Sequence, residues 1–456
     1  MMTPAAQARL RTTVASWQRP RALGRVIEVA GTLLHIAVDQ TAPPYGGAAR
    51  EGSLARGNDA ASLGDVLDVE TGGGSVACEV VGFRGRILLC VPLAPTRQIA
   101  VGACARPTGR AATVAVGDAL LGRLIDPFGA PMDGRPAPRC ADRVPLDGGA
   151  LPIDQRGGVD ARFDTGVRVI DALLTCGRGQ RVGIFAGAGC GKSVLVEQIA
   201  SQAAADVIVC GLVGERGREV VELLGSRRRD RMVIVAATSD RSPLERLRGA
   251  TAATAIAEYF RDRGKHVLLV IDSLTRFAMA TREIGLALGE PPATKGYPPS
   301  VFAAMPRLLE RVAPRAGGGS ITAFYTVLVE GDEMSDPVAD SARSLLDAHI
   351  ILSRELAGRG HFPAIDLLAS ASRVARRVAG PTALQLAGRA RDVLAQRKQV
   401  AELQALGAYT PGANAALDLA LERGAKIDAW ARQTPEQAST HDVAIAGLAS
   451  ALEDKP

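Results

Sequence analysis

Short apolar runs separated by glycine and aspartate clusters fill residues 23–105. They are Arg25–Val29, Leu33–Val38, Ser75–Val81 and Arg86–Val91. Short runs of this kind, with turn residues between them, are typical of the strands of a small antiparallel sheet that closes on itself. We therefore predict a β-barrel domain over residues 23–105. The Gly- and Ala-rich stretch 42–62 interrupts the runs and is predicted to be a mobile loop.

Residues 106–375 alternate longer apolar runs with helical patterns. The runs are Val207–Val213, Met232–Ala237, Val267–Ile271, Ile321–Val329 and His349–Leu352. Runs that are apolar at every position indicate strands buried on both faces, as in parallel sheets covered by helices. This region is predicted to be an α/β domain. From residue 376 the strand signals stop, and Ala-, Leu- and Arg-rich segments such as Ala383–Leu403 and Ala415–Leu421 predict a helical domain over residues 376–456.

Residues 1–22 have the pattern of an amphipathic helix that ends near Pro20. One face carries the apolar residues Ala6, Leu10, Val14 and Trp17. An apolar stripe with little around it to pack on is typical of a helix that docks on a partner or on a membrane surface. A helix folded back on its own domain, or a frayed terminus, explains the pattern equally well.

Length and composition narrow the classes further. A chain of 456 residues is too long for one core, so two or three domains are expected. No apolar run approaches the roughly 20 residues of a membrane span, and no apolar segment resembles the core of a secretory signal. The seven cysteines are scattered and include no C-x-x-C pair, which argues for a reducing compartment and against a disulfide framework or a zinc site.

The charge balance is basic, with a formal net charge of +6. That balance is compatible with nucleic acid, an acidic membrane surface or an acidic partner. Aromatic residues make up only 4% of the chain, so few side chains are available to stack on single-stranded bases. The arginines are dispersed along the chain, which favours an ordinary solvated surface, and no nucleic-acid partner is predicted.

A phosphate-binding loop is the strongest chemical signal. The apolar run Val182–Phe185 leads into Ala186–Ser193, and a helical run, Val194–Ala200, follows. Small residues let backbone N–H groups approach a phosphate, Lys192 would neutralise the β- and γ-phosphates, and the Ser193 hydroxyl would bind the Mg²⁺ that accompanies the nucleotide. ATP and Mg²⁺ are therefore the expected ligands. The residues expected to bind the nucleotide here are Gly187, Ala188, Gly189, Cys190, Gly191, Lys192, Ser193 and Val194.

Three further charged residues follow strand-like runs. Asp272 ends the run Val267–Ile271, so it would lie at the sheet edge where ligands bind, placed to hold Mg²⁺ through water. Glu215 follows the run Val207–Val213 and is a candidate to polarise the attacking water, although composition alone favours a charged loop paired in solvent. Arg373 follows a strand-like stretch at Ile365–Leu368, but the residues alone do not single it out from the other arginines.

At this point the motifs identify a family. The chain resembles the catalytic subunits of rotary ATP synthases, and more closely the ATPases of type III protein export, over about residues 22–430. Export ATPases commonly carry alanine where the phosphate loop usually begins with glycine, as Ala186 does here. The segments that carry the resemblance are Phe185–Ser193, Gly214–Glu219, Asp272–Phe277, Gly289–Ser300, Gly319–Leu328 and Gly360–Asp366.

The resemblance implies a RecA-like catalytic core and a role for each matching residue. Glu215 is similar to the general base, Asp272 to a Mg²⁺ ligand that acts through water, and Arg373 to an arginine finger given across a subunit boundary. Phe362 matches the aromatic residue that stacks on adenine, and Tyr409 is expected to close the adenine pocket from the C-terminal domain. The implied catalytic set is Lys192, Glu215, Arg216, Asp272 and Arg373, and the implied metal set is Ser193, Glu215 and Asp272.

The resemblance also implies an assembly and partners. One chain carries both base and finger, so a homohexamer with six like sites is expected, with loop Glu290–Ser300 facing the central channel. The N-terminal helix resembles the element that binds a stator-like regulator and lipid. A central stalk protein, the export gate and chaperone–cargo complexes are the other implied partners. The implied location is the cytoplasm, with peripheral association at the inner membrane.

Flagellar and injectisome versions share most of these motifs. Segments Pro292–Gly296, Gly317–Gly319, Asp340–Arg343 and Gly407–Tyr409 look flagellar, whereas Cys190–Lys192, Val329–Met334 and Leu368–Val374 look more like injectisome members. The chain departs from both at Ala348, where glycine is usual. The balance favours the flagellar type.

Two other classes share the nucleotide core. A true ATP synthase catalytic subunit would carry an acidic helix–loop in its C-terminal domain, and no acidic cluster lies between Leu394 and Ile427. An RNA-translocating termination factor would need an aromatic RNA-binding fold, but Tyr45 and Phe83 are the only aromatic residues between Leu23 and Thr108. A protein-export ATPase is therefore the predicted function.

Overall fold

A computed structural model describes residues 23–38, 61–93, 99–225, 228–329, 336–410 and 412–453. The predicted N-terminal helix over residues 1–22 and most of the predicted loop 42–62 lie outside these ranges. The chain divides into two compact units, with the division between Thr113 and Val114.

The first unit is a closed six-stranded antiparallel barrel with strand order β1-β2-β5-β4-β3-β6, which confirms the predicted architecture. Leu34, Ile36, Leu67 and Leu88 fill its core. Strand β6 pairs with both β1 and β3 and closes the barrel, so the barrel extends beyond the boundary at residue 105 that we predicted from the sequence. Its strands are β1 (Gly24–Ala30), β2 (Leu33–Val38), β3 (Asp65–Thr71), β4 (Gly74–Arg84), β5 (Ile87–Pro92) and β6 (Cys104–Ala111).

The second unit is built on an eight-stranded sheet with order β18-β17-β12-β16-β15-β13-β14-β8. All neighbours in it are parallel except β17 and β18. Two small sheets, β10-β11 and β7-β9, accompany it. The strands are β7 (Thr113–Val116), β8 (Arg123–Ile125), β9 (Asp142–Pro145), β10 (Arg162–Phe163), β11 (Cys176–Gly177), β12 (Arg181–Ala186), β13 (Val207–Val213), β14 (Met232–Ala237), β15 (His266–Asp272), β16 (Ser320–Leu328), β17 (Ala348–Ile351) and β18 (Ala371–Ser372).

The register of the central strands sets where the site lies. Every residue of β13 and β14 is buried, as expected for parallel strands covered on both faces. Ala186 pairs with Leu328, and Leu212 pairs with Asp272. The carboxyl ends of β12, β13 and β15 therefore meet at one edge of the sheet, which is where parallel α/β sheets bind ligands.

Helices cover the sheet and form the C-terminal region, as predicted. The long helix that covers β13 begins with a reciprocal cap, in which Ser242 accepts from the N–H of Glu245 and Glu245 from that of Ser242. The helices are α1 (Arg168–Leu173), α2 (Lys192–Gln202), α3 (Gly217–Leu224), α4 (Pro243–Arg261), α5 (Leu274–Ala287), α6 (Pro299–Leu309), α7 (Pro337–Leu345), α8 (Arg354–Gly358), α9 (Ala375–Val378), α10 (Pro381–Ala405), α11 (Ala415–Ala431) and α12 (His441–Leu452). Short 3-10 helices cover Asp118–Leu120, Ile153–Gln155, Arg229–Arg231 and Thr294–Gly296.

The three C-terminal helices pack on α1 of the catalytic region. Leu173 of α1 shares an apolar cluster with Leu386, Leu394, Ile427 and Leu448 from α10, α11 and α12. Burial of this kind stabilises by about 25 cal/mol per Å² of apolar surface removed from water, so the C-terminal helices are joined to the catalytic core through apolar packing.

A second sequence prediction also differs from the structure. The stretch Ile365–Leu368 was expected to be strand-like, but only Ile365 makes a single bridge, to Leu352. Asp366 accepts hydrogen bonds from the N–H groups of Leu368 and Ala369, and this closes a turn in place of a strand. Among the described residues, no helix combines the length and the apolar character that a membrane crossing needs.

Candidate nucleotide-binding site

The predicted phosphate loop connects β12 to α2. Gly189 and Gly191 have φ angles of 81° and 82°, a left-handed conformation that glycine adopts without strain. Gly191 precedes the first helical residue, and no side chain caps the helix there. The N–H groups of the first turn of α2 are therefore available to an anion, and the helix dipole adds positive character at the same point.

Residues of the loop differ in exposure. Ala188, Gly189 and Val194 are exposed, whereas Gly187 and Cys190 are buried. The thiol of Cys190 is free and packs in the core cluster of the catalytic unit. Cys190 therefore acts in this structure as a small buried residue that fixes the loop, and the exposed backbone of Ala188 and Gly189 lies on the solvent side.

Lys192 lies between two buried carboxylates. Its Nζ donates to Oδ1 of Asp272 and lies 3.5 Å from Oε1 of Glu215. The hydroxyl of Thr326, on the neighbouring strand β16, donates to Oδ1 of Asp272 over 2.5 Å. The sheet edge thus brings Lys192, Glu215 and Asp272 together, and Thr326 is a contact that the sequence analysis did not single out.

Burial and mutual charge shift the pKa values of this cluster. Burial raises the pKa of Glu215, and the neighbouring Asp272 carboxylate raises it further, while Lys192 and Arg276 act in the opposite direction. For Lys192, burial disfavours the charged ammonium, but Asp272 and Glu215 outweigh that effect and raise its pKa. These shifts favour the charged ammonium of Lys192 and make the carboxyl of Glu215 more basic, which suits a proton acceptor.

The hydroxyl of Ser193 lies beside carboxylate side chains. Its hydroxyl donates to Oε2 of Glu219 over 3.1 Å, and a cavity of about 10 Å³ lies between Ser193, Glu219 and Asp272. Hydroxyl and carboxylate oxygens are the donors that Mg²⁺ prefers, so these residues fit that cation. Within the described ranges, no group of three or more His, Cys, Asp or Glu residues forms a metal site on its own. Mg²⁺ sites at nucleotides ordinarily take several ligands from phosphate and water.

Arg276 belongs to this cluster in the structure, although the sequence analysis gave it no role. Its side chain packs over Gly214, where an added Cβ would lie 3.0 Å from the Cβ of Arg276, and its charge acts on Glu215. The sequence feature that could have indicated Arg276 is its position in the first turn of the helix that follows Asp272.

Arg216, which the family resemblance places in the catalytic set, is exposed at the start of α3.

Arg373 lies directly after the edge strand β18 and is exposed. Its main-chain N–H donates to the carbonyl of Asp347 over 3.0 Å. Within the described part of the chain, no hydrogen bond or ion pair joins its guanidinium to Lys192, Glu215 or Asp272. The structure therefore brings four of the five predicted catalytic residues to the edge formed by β12, β13 and β15, and places Arg373 after β18.

Phe362 lies against the phosphate loop, whereas the hydrogen bond of the Tyr409 side chain is to Asp418. A Cβ added to Gly191 would lie 3.1 Å from Cε1 of Phe362, so this aromatic ring rests on the phosphate loop. The ring is 43% exposed, which leaves a face for stacking. Tyr409 lies between α10 and α11, and its hydroxyl donates to Asp418 over 2.5 Å. From the C-terminal region, the N–H of Gln433 donates to the Phe362 carbonyl over 3.0 Å.

A glycine-rich loop that opens an uncapped helix, with a lysine beside a strand-end aspartate, defines a P-loop nucleotide hydrolase with a RecA-like core. Two family profiles match the chain in agreement with this class. The nucleotide-binding domain of the ATP synthase alpha/beta family matches residues 166–372, and the C-terminal domain of the type III secretion ATPase EscN matches residues 379–450.

Individual relatives extend the match to almost the whole chain. The flagellum-specific ATP synthase of Pseudomonas aeruginosa is 48% identical over 83% of this chain and 85% of its own length. The type 3 secretion system ATPase of Xanthomonas euvesicatoria is 44% identical over 99% of both chains. The assembled EscN ATPase of the enteropathogenic E. coli type III secretion system is 40% identical, with a TM-score of 0.85 over 94% of this chain and all of its own. The structure of EscN in complex with its central stalk EscO superposes on this chain with a TM-score of 0.82.

These findings establish the family. The chain belongs to the type III protein export ATPases, which are related to the catalytic subunits of rotary ATP synthases, and it is an ATP-hydrolysing enzyme.

Proposed function

We propose that the protein works as a homohexameric ring in a type III export apparatus, where ATP hydrolysis drives chaperone release and the unfolding and export of proteins. The observation that carries the ring is the position of Arg373. The water-activating carboxylate Glu215 is buried beside Lys192, whereas the guanidinium of Arg373 lies outside that cluster and is exposed after an edge strand. A group so placed is suited to reach the nucleotide of a neighbouring copy.

The proposed chemistry uses the cluster in three roles. Lys192 would exchange its carboxylate partners for the β- and γ-phosphates, which it neutralises as a charged ammonium. Glu215 would orient the attacking water and accept its proton, since its raised pKa strengthens it as a base. Arg373 of the neighbouring copy would neutralise charge that develops on the γ-phosphoryl group.

Ser193, together with Asp272 and Glu215 acting through water, would hold Mg²⁺. The bound cation supplies positive charge at the phosphate oxygens. The hydrogen bond between Ser193 and Glu219 and the small cavity that both line with Asp272 support this assignment.

Solved relatives support the assembly and one partner. EscN was solved as an assembled ATPase and in complex with its central stalk, so we extend a homohexamer and a stalk protein to this chain. A stator-like regulator on the N-terminal helix, the export gate and chaperone–cargo complexes are proposed on the family resemblance. So is a cytoplasmic location with peripheral attachment to the inner membrane.

The export system itself is assigned by residue motifs. We assign the flagellar type first, because Pro292–Gly296 and Gly407–Tyr409 follow that pattern. The injectisome type is the second candidate, favoured by the C-terminal profile and by the Xanthomonas relative that matches along the whole chain. Deletion of the gene should abolish motility in the first case, and leave motility intact but stop effector secretion in the second.

The ring is tested by measuring ATPase activity per subunit against protein concentration, with mass photometry on the same samples. We expect a cooperative rise that follows the appearance of hexamers. Arg373→Ala should assemble normally but lose roughly 10³-fold in turnover, as when other arginine fingers are removed. Arg376→Ala, which removes a nearby exposed arginine, is the matched control and should turn over normally. Normal turnover by an Arg373→Ala ring would sink the proposal, as would flat activity from a monomer.

A further inference from the structure

The segment Trp430–Gln437, which we call the bridging segment, starts in the last turn of α11 and continues into the connection to α12. It contacts the catalytic region at several points. The main-chain carbonyl of Trp430 accepts from Arg168 over 2.9 Å. Gln202, in the last turn of α2, donates to the carbonyl of Pro435 over 2.6 Å. Since α2 begins at the phosphate loop, the bridging segment lies against the same helix that carries the nucleotide site.

Gln433 is the most constrained residue of the bridging segment. Only 4% of its surface is exposed. Its Oε1 accepts from the N–H of Arg168 over 2.9 Å, and its Nε2 donates to the carbonyls of Gly166 over 2.8 Å and Gln437 over 2.6 Å. The buried amide thus has both donor hydrogens and its oxygen satisfied, and such a fully paired side chain fixes the backbone to which it belongs.

That backbone holds Phe362. The N–H of Gln433 donates to the carbonyl of Phe362 over 3.0 Å, while the Phe362 ring leans on Gly191 and remains 43% exposed. A half-exposed ring gains little positional restraint from its own packing, so the hydrogen bond from Gln433 to its main chain is a direct restraint that the C-terminal region supplies. The side chain of Gln433 fixes this donor, although it does not itself touch the ring.

We propose that Gln433 is a positioning residue for the base of the nucleotide. It acts through Phe362, and it makes base binding depend on where the C-terminal helices sit. The inference rests on the proposed nucleotide site. It assigns a role in nucleotide binding to Gln433, which lies outside the phosphate-loop motif. A movement of α11 would be transmitted to the base end through the bridging segment, whereas the phosphate end would remain fixed by the sheet.

Two probes separate these ends. ADP with Mg²⁺ needs both ends, whereas inorganic triphosphate with Mg²⁺ has no base. For Gln433→Ala we expect the Kd of ADP, measured by calorimetry, to rise about tenfold, and the Kd of triphosphate to change less than about twofold. Gln202→Ala also removes a contact to the bridging segment, but one that does not involve Gln433 or Phe362, and it should leave both values near those of the wild type.

A double-mutant cycle identifies the route. In a Phe362→Ala background, Gln433→Ala should weaken ADP binding by less than about twofold more, because the effect passes through the ring that is already gone. Additive losses, or equal losses of ADP and triphosphate affinity, would overturn the inference. If Gln433→Ala does not fold, Gln433→Glu keeps the acceptor for Arg168 but removes the amide donors, and the same pattern is expected. A wild-type protein that binds neither probe would contradict the nucleotide site itself.

Discussion

The phosphate end and the base end of the nucleotide site are built in different ways. At the phosphate end, Lys192, Glu215 and Asp272 follow or end parallel strands whose carboxyl ends meet at one edge. At the base end, Phe362 comes from an irregular connection and Gln433 from the C-terminal region, joined by one main-chain hydrogen bond. The first arrangement follows from sheet topology, and the second depends on how the C-terminal helices pack on the catalytic region.

The forces at the two ends differ as well. The side chains of Lys192, Glu215 and Asp272 are each about one-tenth exposed or less, and burial strengthens the interactions between their charges. Phe362 is half-exposed, and stacking on a base contributes about 1–3 kcal/mol. Changes at the phosphate end should therefore alter turnover strongly, whereas changes at the base end should alter affinity moderately.

The largest of these effects is expected for Glu215→Gln. The amide keeps the size of the side chain but cannot accept a proton from water, so kcat should fall by about 10²–10⁴-fold. The Kd of ADP should stay within about twofold, because the phosphate and base contacts remain. Steady-state turnover and calorimetry on the same preparation measure both quantities. Glu402→Gln makes the same change at an exposed position on α10, away from the phosphate end, and is the control that should keep its activity.

A Glu215→Gln variant with near-normal kcat would show that another group activates water. A loss of ADP affinity as large as the loss of kcat would show that Glu215 mainly shapes the site. Either result would remove the chemical distinction between the two ends.

At the phosphate end, the pH dependence of kcat/KM should show a second effect of Glu215, smaller than the loss of kcat in Glu215→Gln. Burial and Asp272 hold the pKa of Glu215 above its ordinary value of 4.5. A base must be deprotonated to work, so a raised pKa moves the loss of activity to higher pH, and below that pKa kcat/KM should fall about tenfold per pH unit. The acid limb should therefore lie above pH 4.5 in wild type, and the residual activity of Glu215→Gln should lack it. An identical limb in both would assign the titration to another group.

What could be predicted from the sequence follows the same division. The apolar runs predicted β13, β14 and the barrel because period and length alone distinguish such strands. The strand-end rule placed Asp272 at the ligand-binding edge of the sheet, whereas the role expected for Glu215 came from the family resemblance, because its residues alone favoured a charged loop paired in solvent. Arg276 was missed because its position in the first turn after Asp272 does not by itself show that the fold brings its side chain over Gly214.

The base end could not be predicted in this way. Gln433 is one polar residue in a helical region. Its hydrogen-bond partners Arg168 and Gly166 lie 265 and 267 residues away along the sequence. Such a contact exists only after α10, α11 and α12 pack on α1. Likewise, Ile365–Leu368 has the composition of a strand. The carboxylate of Asp366 accepts hydrogen bonds from two main-chain N–H groups and forms a turn, and a hydrophobic pattern does not predict such side-chain hydrogen bonds.

At the base end, Phe362→Ala should raise the KM for ATP about tenfold with a smaller change in kcat, because one stacking contact is lost and the phosphate cluster is untouched. Phe362→Tyr keeps an aromatic face and should behave like wild type. Steady-state kinetics with ATP and with a pyrimidine nucleotide measure the change. The alanine variant should lose more with ATP, since a purine offers the larger stacking surface. A kcat effect as large as that of Glu215→Gln would mean that the two ends do not act separately.

The smallest effect is expected for Tyr409→Phe, which distinguishes the structure from the family-based expectation. The hydrogen bond to Asp418 raises the pKa of Tyr409 to about 12, and this hydroxyl serves the connection between α10 and α11 rather than Phe362. The KM for ATP should therefore change by less than about twofold, as for substitutions away from a site. Asp418→Asn, which changes the acceptor, should behave in the same way. A rise in KM comparable with that of Phe362→Ala would place Tyr409 in the base pocket during turnover and show that the α10–α11 connection moves to the nucleotide.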